Sequence, residues 1–488
     1  MSFAKFARYR VACSLVCVVA AAVVLSARQS GRGGGQSGPT DARAAQVDAI
    51  FAAYTAAGSP GCAVSVTRNG AVQFARGYGL ADLEHNVAIT PDTLFYVASV
   101  SKQFTGVSIG LLVQRGVVAL TDDVRKWVPE LPTGPTITVA NLLHHTSGVR
   151  DFLGLQALAG FPADEPLSER QFVAMMSRQR GLTFAPGSAH LYSNSGYALL
   201  ALIVKRASGT SLKEFAASHV FAPLRMSHSR FRDDHAEPIP NRAIGYAPWA
   251  GGFRQDVPTF DVVGDGGLFS SANELALWDP TDLPASVGGS ELSALMSRPG
   301  TLGDGTTVPY AMGLRIDTYR GLPILRHGGA YGGYQTDVTR FPGRRMGVTV
   351  LCNLSNAPAW QWGAGGLAQK VADLFFADQF TAPVSAPVAP ASSSPPAAAR
   401  VAFSGPPTFE ARMFSDELDT SWALALWSNG ARIIKRNQVE IVLTRGERAD
   451  TYEAPGLSIR LGRDGAGVVS GMVVDAGAIT GVTFVRVR

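Results

Sequence analysis

The chain has 488 residues, of which only 17% are charged and 53 are glycine. Nothing in that composition suggests wholesale disorder, and the length accommodates one large domain and a smaller one, each with its own core. The formal charge of +5 falls to +2 once Lys5, Arg8 and Arg10 are removed with the N-terminal segment. No Lys/Arg cluster then remains to track a phosphate backbone, which argues against nucleic acid as a partner.

Residues 1–27 read as an export signal. A basic start is followed by an apolar run from Val11 to Leu25 and by the small residues Ser26 and Ala27 at a cleavage point. An uncleaved membrane tether is the alternative, although the run is short for a spanning helix. Either way the body of the chain is expected to be exported, periplasmic or secreted. Cys13 and Cys17 lie inside the apolar run and offer no convincing lipidation site. Residues 28–44 form a flexible linker, Gly/Ser-rich to about Thr40. The first helix is expected near Asp41, with Val47, Ile50 and Phe51 on one face.

A hairpin follows: Gly61 to Thr67, a turn at Arg68-Asn69-Gly70, and Ala71 to Tyr78. Phe95 to about Val113 is helical in pattern, with Ser99 near its start. Capping boxes at Ser168/Gln171, Ser211/Glu214 and Ser271/Glu274 mark later helices. Strands return at Ile324–Leu325, Thr336–Phe341 and Gly347–Cys352, with a turn at Pro342–Arg345, and a last helix covers about Trp360 to Phe376. Strands thus open and close the region 45–380, and helices fill its middle. That order implies an α+β fold, an antiparallel sheet flanked by helices with an inserted helical subdomain. Residues 381–400 are an Ala/Pro/Ser linker. Residues 401–488 change to short alternating runs such as Trp422–Trp427 and Val482–Val487, read as a small, separable all-β domain, barrel-like.

Cys62 and Cys352 survive signal removal and sit in strand-like runs. Export permits a disulfide, but two buried thiols are the expected state. No C-x-x-C, H-E-x-x-H or ligand-spaced His/Cys cluster occurs, so no metal or other cofactor is expected.

Three short motifs carry the chemistry. Ser99-Val100-Ser101-Lys102 puts a hydroxyl and an amine one helical turn apart, at a helix start that favours developing negative charge. Lys102 is one of seven lysines against 36 arginines, so its choice is less casual. The bland reading is a surface lysine near an N-terminal serine, and S-x-x-K also occurs by accident at Ser2–Lys5. Tyr192-Ser193-Asn194 enters a helix from a loop, and helix capping is its bland reading. His327-Gly328-Gly329-Ala330 begins a strand whose glycines admit a substrate close to the backbone. A glycine kink with a solvent-facing histidine is the alternative there.

In order and spacing the trio resembles that of the penicillin-recognising serine hydrolases, and most closely the class C β-lactamase branch, which also holds DD-peptidases, D-aminopeptidases and esterases. The resemblance covers about residues 45–378 and implies a β-lactamase/transpeptidase-like fold. It extends to Leu142–Gly148 and Gly264–Ser271, both read as scaffold, with His144 and His145 structural. It implies Ser99 as the acylated nucleophile, Lys102 and Tyr192 sharing the proton traffic, and Asn194 orienting the substrate, with His327, Gly328 and Gly329 on its other side. The backbone N–H groups of Ser99 and Ala330 would form the oxyanion hole. Which of Lys102 and Tyr192 is the base stays open, because reference deprotonation costs at pH 7 of about 4.6 and about 4 kcal/mol are too close. His327 stands where antibiotic-hydrolysing members usually have lysine, which weakens the case for β-lactam turnover. The implied substrate is a small molecule or peptide with an ester or amide bond. A penicillin-binding sensor that acylates without turnover, or a true class C β-lactamase, is the alternative; oligomeric state is not legible.

Overall fold

The computed structural model describes residues 39–162, 164–355, 363–383, 403 and 406–487. The signal, most of the 28–44 linker and nearly all of the 381–400 spacer lie outside the described residues. The first helix spans Pro39–Ile50. Among the described residues no helix is long and apolar enough to cross a membrane.

Asn69 and Gly70 both take left-handed backbone angles, φ 55° and 73°, and this closes the first hairpin between Cys62–Arg68 and Ala71–Tyr78. That hairpin is one edge of a six-stranded antiparallel sheet. Across the sheet the order is Arg315–Tyr319, Leu322–Tyr331, Tyr334–Phe341, Met346–Cys352, Cys62–Arg68 and Ala71–Tyr78. The chain ends of the domain therefore meet in mid-sheet, where the first strand pairs with the last.

Alternation along the central strand sorts its side chains. Cys62, Val64 and Val66 join a core with Val47 of the first helix, Phe51 just after it, and Leu367 and Val371 of the helix Gly363–Phe375. On the other face, Ser65 Oγ donates to Ala272 O at 2.8 Å, and Ala63 joins the large core beneath the helical subdomain.

Cys62 and Cys352 are directly opposed across the first and last strands and form a disulfide. The expectation of two thiols is therefore corrected. The pairing is a product of register across 290 residues of chain, which no local pattern encodes.

The capping boxes at Ser168 and Ser211 form in full. At Ser271 only half forms: its hydroxyl accepts from Glu274 N, while the Glu274 carboxylate accepts from Ser229 Oγ and His228 N.

Residues 409–486 close into an eight-stranded antiparallel barrel. Besides strands at the expected runs Trp422–Trp427, Val439–Leu443, Ser458–Leu461, Val468–Val474 and Val482–Val487, it contains Phe409–Ser415, Gly430–Ile434 and Thr451–Ala454. Trp422 and Phe484 pack against each other inside it, with ring centres 4.5 Å apart and planes tilted by 38°. The barrel lies in one compact unit with the sheet domain. It seats on the helix Phe152–Ala159, where Thr420 Oγ1 and Lys435 Nζ donate to the carbonyls of Ala159 and Ala157, each at 3.0 Å.

Candidate active site

Phe95 and Tyr96 are not helical. They pair as a short strand with Phe269 and Ser270, and the long helix begins only at Ser101. Between them Ala98 takes a φ of 48°, a conformation uncommon outside glycine and concentrated at functional turns. The one-turn 3₁₀ helix Ala98–Val100 then carries Ser99 into the cavity. The spacing to Lys102 survives the shorter helix, because both turns run continuously.

Lys102 is fully buried. Its Nζ lies 3.1 Å from Ser99 Oγ, 2.9 Å from Asn194 Oδ1 and 2.7 Å from Asp265 O. The amide and peptide oxygens can only accept, whereas a serine hydroxyl can accept or donate. An ammonium therefore donates to all three oxygens. A neutral amine keeps the two obligate bonds and turns its lone pair to the Ser99 proton. The same geometry serves both protonation states.

Ser193 caps the helix Asn194–Ser208, so the bland reading of the middle motif holds for that residue and frees Asn194 to face Lys102. Asn194 is fixed from behind: Asp151 Oδ2 accepts from its backbone N–H at 2.5 Å, while Oδ1 caps the helix after it through Leu153 N. Tyr192 lays its ring 4.8 Å from Lys102 Nζ, yet its hydroxyl is buried without a hydrogen-bond partner among the described residues. Lys102, not Tyr192, is thus the group bonded to Ser99. A buried hydroxyl left open in a cavity wall suits a substrate atom as its missing partner.

The third motif lies on the strand Leu322–Tyr331. A side chain at Gly329 would collide with Val97 O and Thr336 Oγ1. Its absence lets this strand press against the nucleophile turn and sets Ala330 beside Ser99 in the cavity wall. His327 is 2% exposed and does not line that cavity. Its Nδ1 donates to Gly328 O at 2.6 Å, and its Nε2 accepts from Tyr310 Oη at 2.9 Å. Burial foremost, with the Lys102 charge adding, pushes the imidazole down to about 3. It is a neutral support of the strand, not an exposed cation. Gly328 likewise stays outside the lining.

His145 is buried, and its Nδ1 accepts from Ser193 N at 3.1 Å. Burial holds its ring well below the ordinary histidine range. His144 Nδ1 bonds Tyr310 O. Both are structural, as expected.

Ser99, Tyr192, Asn194 and Ala330 share the lining of one cavity of about 160 Å³ with Asp265, Tyr96, Tyr331 and Phe260. A larger cavity, about 820 Å³, shares Ala330 and Tyr331 and runs outward past Arg254 and Asp256. The smaller is the candidate reaction chamber because it holds Ser99, Tyr192 and Asn194 together. Sequence reasoning left two contributors unassigned. Asp151 gave no motif signal. Asp265 stood in a stretch read as scaffold, yet it supplies a carbonyl to Lys102. Burial raises the Asp265 carboxyl to about 6, opposed by Lys102 and abetted by Asp151.

Two surface groups bring three potential metal-ligand atoms together, Asp82/Glu84/His85 and Asp234/His235/Asp261. Neither contributes to either cavity wall. Their histidines are bonded to Asp82 and Asp261 at 2.7 and 2.9 Å.

The chain belongs to the Beta-lactamase family, whose model matches residues 47–361. It is 28% identical over 321 residues to a D-aminopeptidase of Gluconobacter oxydans (strain 621H), a match covering 65% of this chain and 60% of that relative. The chain thus spans less than two thirds of that relative's length. Its fold is similar to that of the octameric penicillin-binding protein homologue from Pyrococcus abyssi, with TM-score 0.58, 20% identity and coverage of 92% and 99% of the two chains. It is also similar to D-amino acid amidase from Ochrobactrum anthropi SV3 complexed with D-phenylalanine, with TM-score 0.59, 22% identity and coverage of 69% and 100%.

Proposed function

We propose that this protein is an exported amidase or esterase that forms an acyl-enzyme on Ser99, with D-amino-acid amides and peptides as its leading substrates. The observation that carries the reading is the three-way seat of Lys102 Nζ on Ser99, Asn194 and Asp265. The D-aminopeptidase relative supports the substrate class, and the basic, apolar, small-residue order of residues 1–27 supports export.

In acylation Ser99 Oγ bonds to the scissile carbonyl carbon and its proton passes to neutral Lys102. The resulting oxyanion faces the N–H groups of Ser99 and Ala330, each worth about 3 kcal/mol in such sites. The carbon–nitrogen or carbon–oxygen bond then breaks, and the leaving group takes a proton from the Lys102/Tyr192 pair. Tyr192 lines the cavity and its hydroxyl has no other partner among the described residues, so it can supply that proton. Water hydrolyses the ester by the reverse path. Peptidase, amidase and esterase work ranks above DD-peptidase work, and β-lactamase work last, because a neutral His327 offers a substrate carboxylate no charge.

The test is hydrolysis of p-nitrophenyl butyrate and of D-amino-acid p-nitroanilides by the purified protein, with intact-mass detection of the acyl adduct. Ser99→Ala is expected to abolish both turnover and adduct. An adduct elsewhere, or retained activity, overturns the assignment. A stable adduct without turnover favours a sensor.

A further inference from the structure

Asp265 is the one ionisable acid among the lining residues of the 160 Å³ chamber. The mechanism above uses only its backbone carbonyl. Among the described residues no side-chain hydrogen bond holds its carboxylate, which meets the backbone N–H groups of Asp265 and Gly266 and feels the charge of Lys102, while Lys102 Nζ itself is directed to Ser99 Oγ, Asn194 Oδ1 and the Asp265 carbonyl. Around the carboxylate the chamber is aromatic. Tyr96 and Tyr331 have ring centres 6.4 Å apart, and Phe260 lies 5.3 Å from Tyr331. The Tyr96 hydroxyl accepts from Gly267 N at 3.2 Å and keeps its own hydrogen, and the Tyr96 residue adds aromatic surface to the chamber lining.

A carboxylate among aromatic faces is a receptor for a compact cation, through charge and through the ring quadrupoles. It is a poor receptor for an acylated amide nitrogen, which brings no charge and more bulk. Asp265 shares the chamber lining with Ser99, and its charge acts on the chamber residues Tyr96 and Tyr331, so a cation at Asp265 stands in the same chamber as the attacked carbonyl. We infer that Asp265 anchors a free ammonium on the acyl side of the substrate, selecting substrates with an unblocked amino group over N-acylated ones. This rests on the acyl-enzyme reading and narrows it: N-acylated cell-wall peptides and acylamino β-lactams are disfavoured by the chamber itself.

The test compares D-alanine p-nitroanilide with N-acetyl-D-alanine p-nitroanilide and with propionic acid p-nitroanilide, which lacks the amine. In the wild type, kcat/KM is expected to favour the free amine about 100-fold or more over both, as in sites built around a polar substrate group. In Asp265→Asn that ratio is expected to fall to within about threefold of unity. The ratio is taken within one variant, so a general loss of activity does not mask it. A second measurement needs no variant: D-alaninol should inhibit wild-type p-nitrophenyl butyrate turnover, and N-acetyl-D-alaninol should inhibit at least tenfold more weakly. No preference for the free amine, or a preference that persists in Asp265→Asn, overturns the inference. Ser99-dependent ester turnover with no amine preference sinks this inference alone, whereas absence of any Ser99 adduct sinks the acyl-enzyme reading beneath it.

Discussion

Glu417 of the C-terminal barrel closes an ion pair of 2.5 Å on Arg150, the residue immediately before the aspartate that holds Asn194. Both side chains are at most 3% exposed. Arg150 also donates to Gln179 Oε1 and Thr480 O, and Glu417 also accepts from Thr483. Ile479 of the barrel abuts Gly154, next to the chamber residue Leu153. The barrel is therefore a buttress of the wall that carries Asp151.

Glu417→Ala leaves Arg150 buried and unpaired, which in such sites costs about 3–5 kcal/mol. Urea unfolding should show that loss. The pair Arg150→Met with Glu417→Leu should recover most of it, because the cost is the orphaned charge rather than the lost attraction. A chain ending near Ala382, cut in the Pro-rich spacer, is expected to be destabilised for the same reason. A truncated chain with the full-length unfolding midpoint would show that the barrel buttresses nothing.

In the proposed mechanism Lys102 and Tyr192 serve one proton-transfer step, although no hydrogen bond joins them. Lys102→Ala and Tyr192→Phe should each lower kcat/KM for p-nitrophenyl butyrate about 100-fold or more. The double variant should fall little further, since losses within a shared step do not multiply. Penalties that multiply would mean two independent roles.

His327 predicts a substrate ranking and an acid response. Held neutral, it gives small neutral esters the advantage over nitrocefin in kcat/KM; nitrocefin outpacing every ester tested would reverse the ranking. For stability the sign is that of a depressed folded pKa. Above the ordinary value of about 6.5 the ring is neutral folded or unfolded. As pH falls from there toward about 3, the unfolded chain gains a proton that the buried ring refuses, so stability is lost. His145 acts in the same direction. His327→Asn should flatten the fall in unfolding free energy between pH 7 and pH 4.5, and an unchanged slope would show that the ring does not contribute.

The Cys62–Cys352 bridge spans 290 residues and ties the first strand to the last. Disulfides typically contribute about 2–4 kcal/mol, chiefly by restricting the unfolded chain. Cys62→Ser with Cys352→Ser should lower the urea midpoint accordingly while leaving Ser99 labelling intact. Dithiothreitol should lower the wild-type midpoint and not that of the double variant.

Local patterns in the sequence were enough to identify the hairpin turn at Asn69-Gly70, the full capping boxes at Ser168 and Ser211, the three strands after residue 322 and the all-β texture past 400. These rest on neighbours a few residues apart, where side-chain period and turn chemistry act directly. The three motifs were legible for a related reason: a turn of helix, a helix entry and a strand start each present their residues by local geometry. Tertiary structure decided what depended on distant chain meeting in space. It put Cys62 opposite Cys352, turned Phe95 and Tyr96 into strand by pairing them with Phe269 and Ser270, and shortened the helix to its true start at Ser101. It drew the Glu274 carboxylate from its own cap to Ser229, withdrew His327 behind Tyr310, and brought Asp151, Asp265 and the barrel's Glu417 to bear on the chamber. Each of those outcomes is set by register, burial and long-range charge, quantities that exist only once the chain has closed on itself.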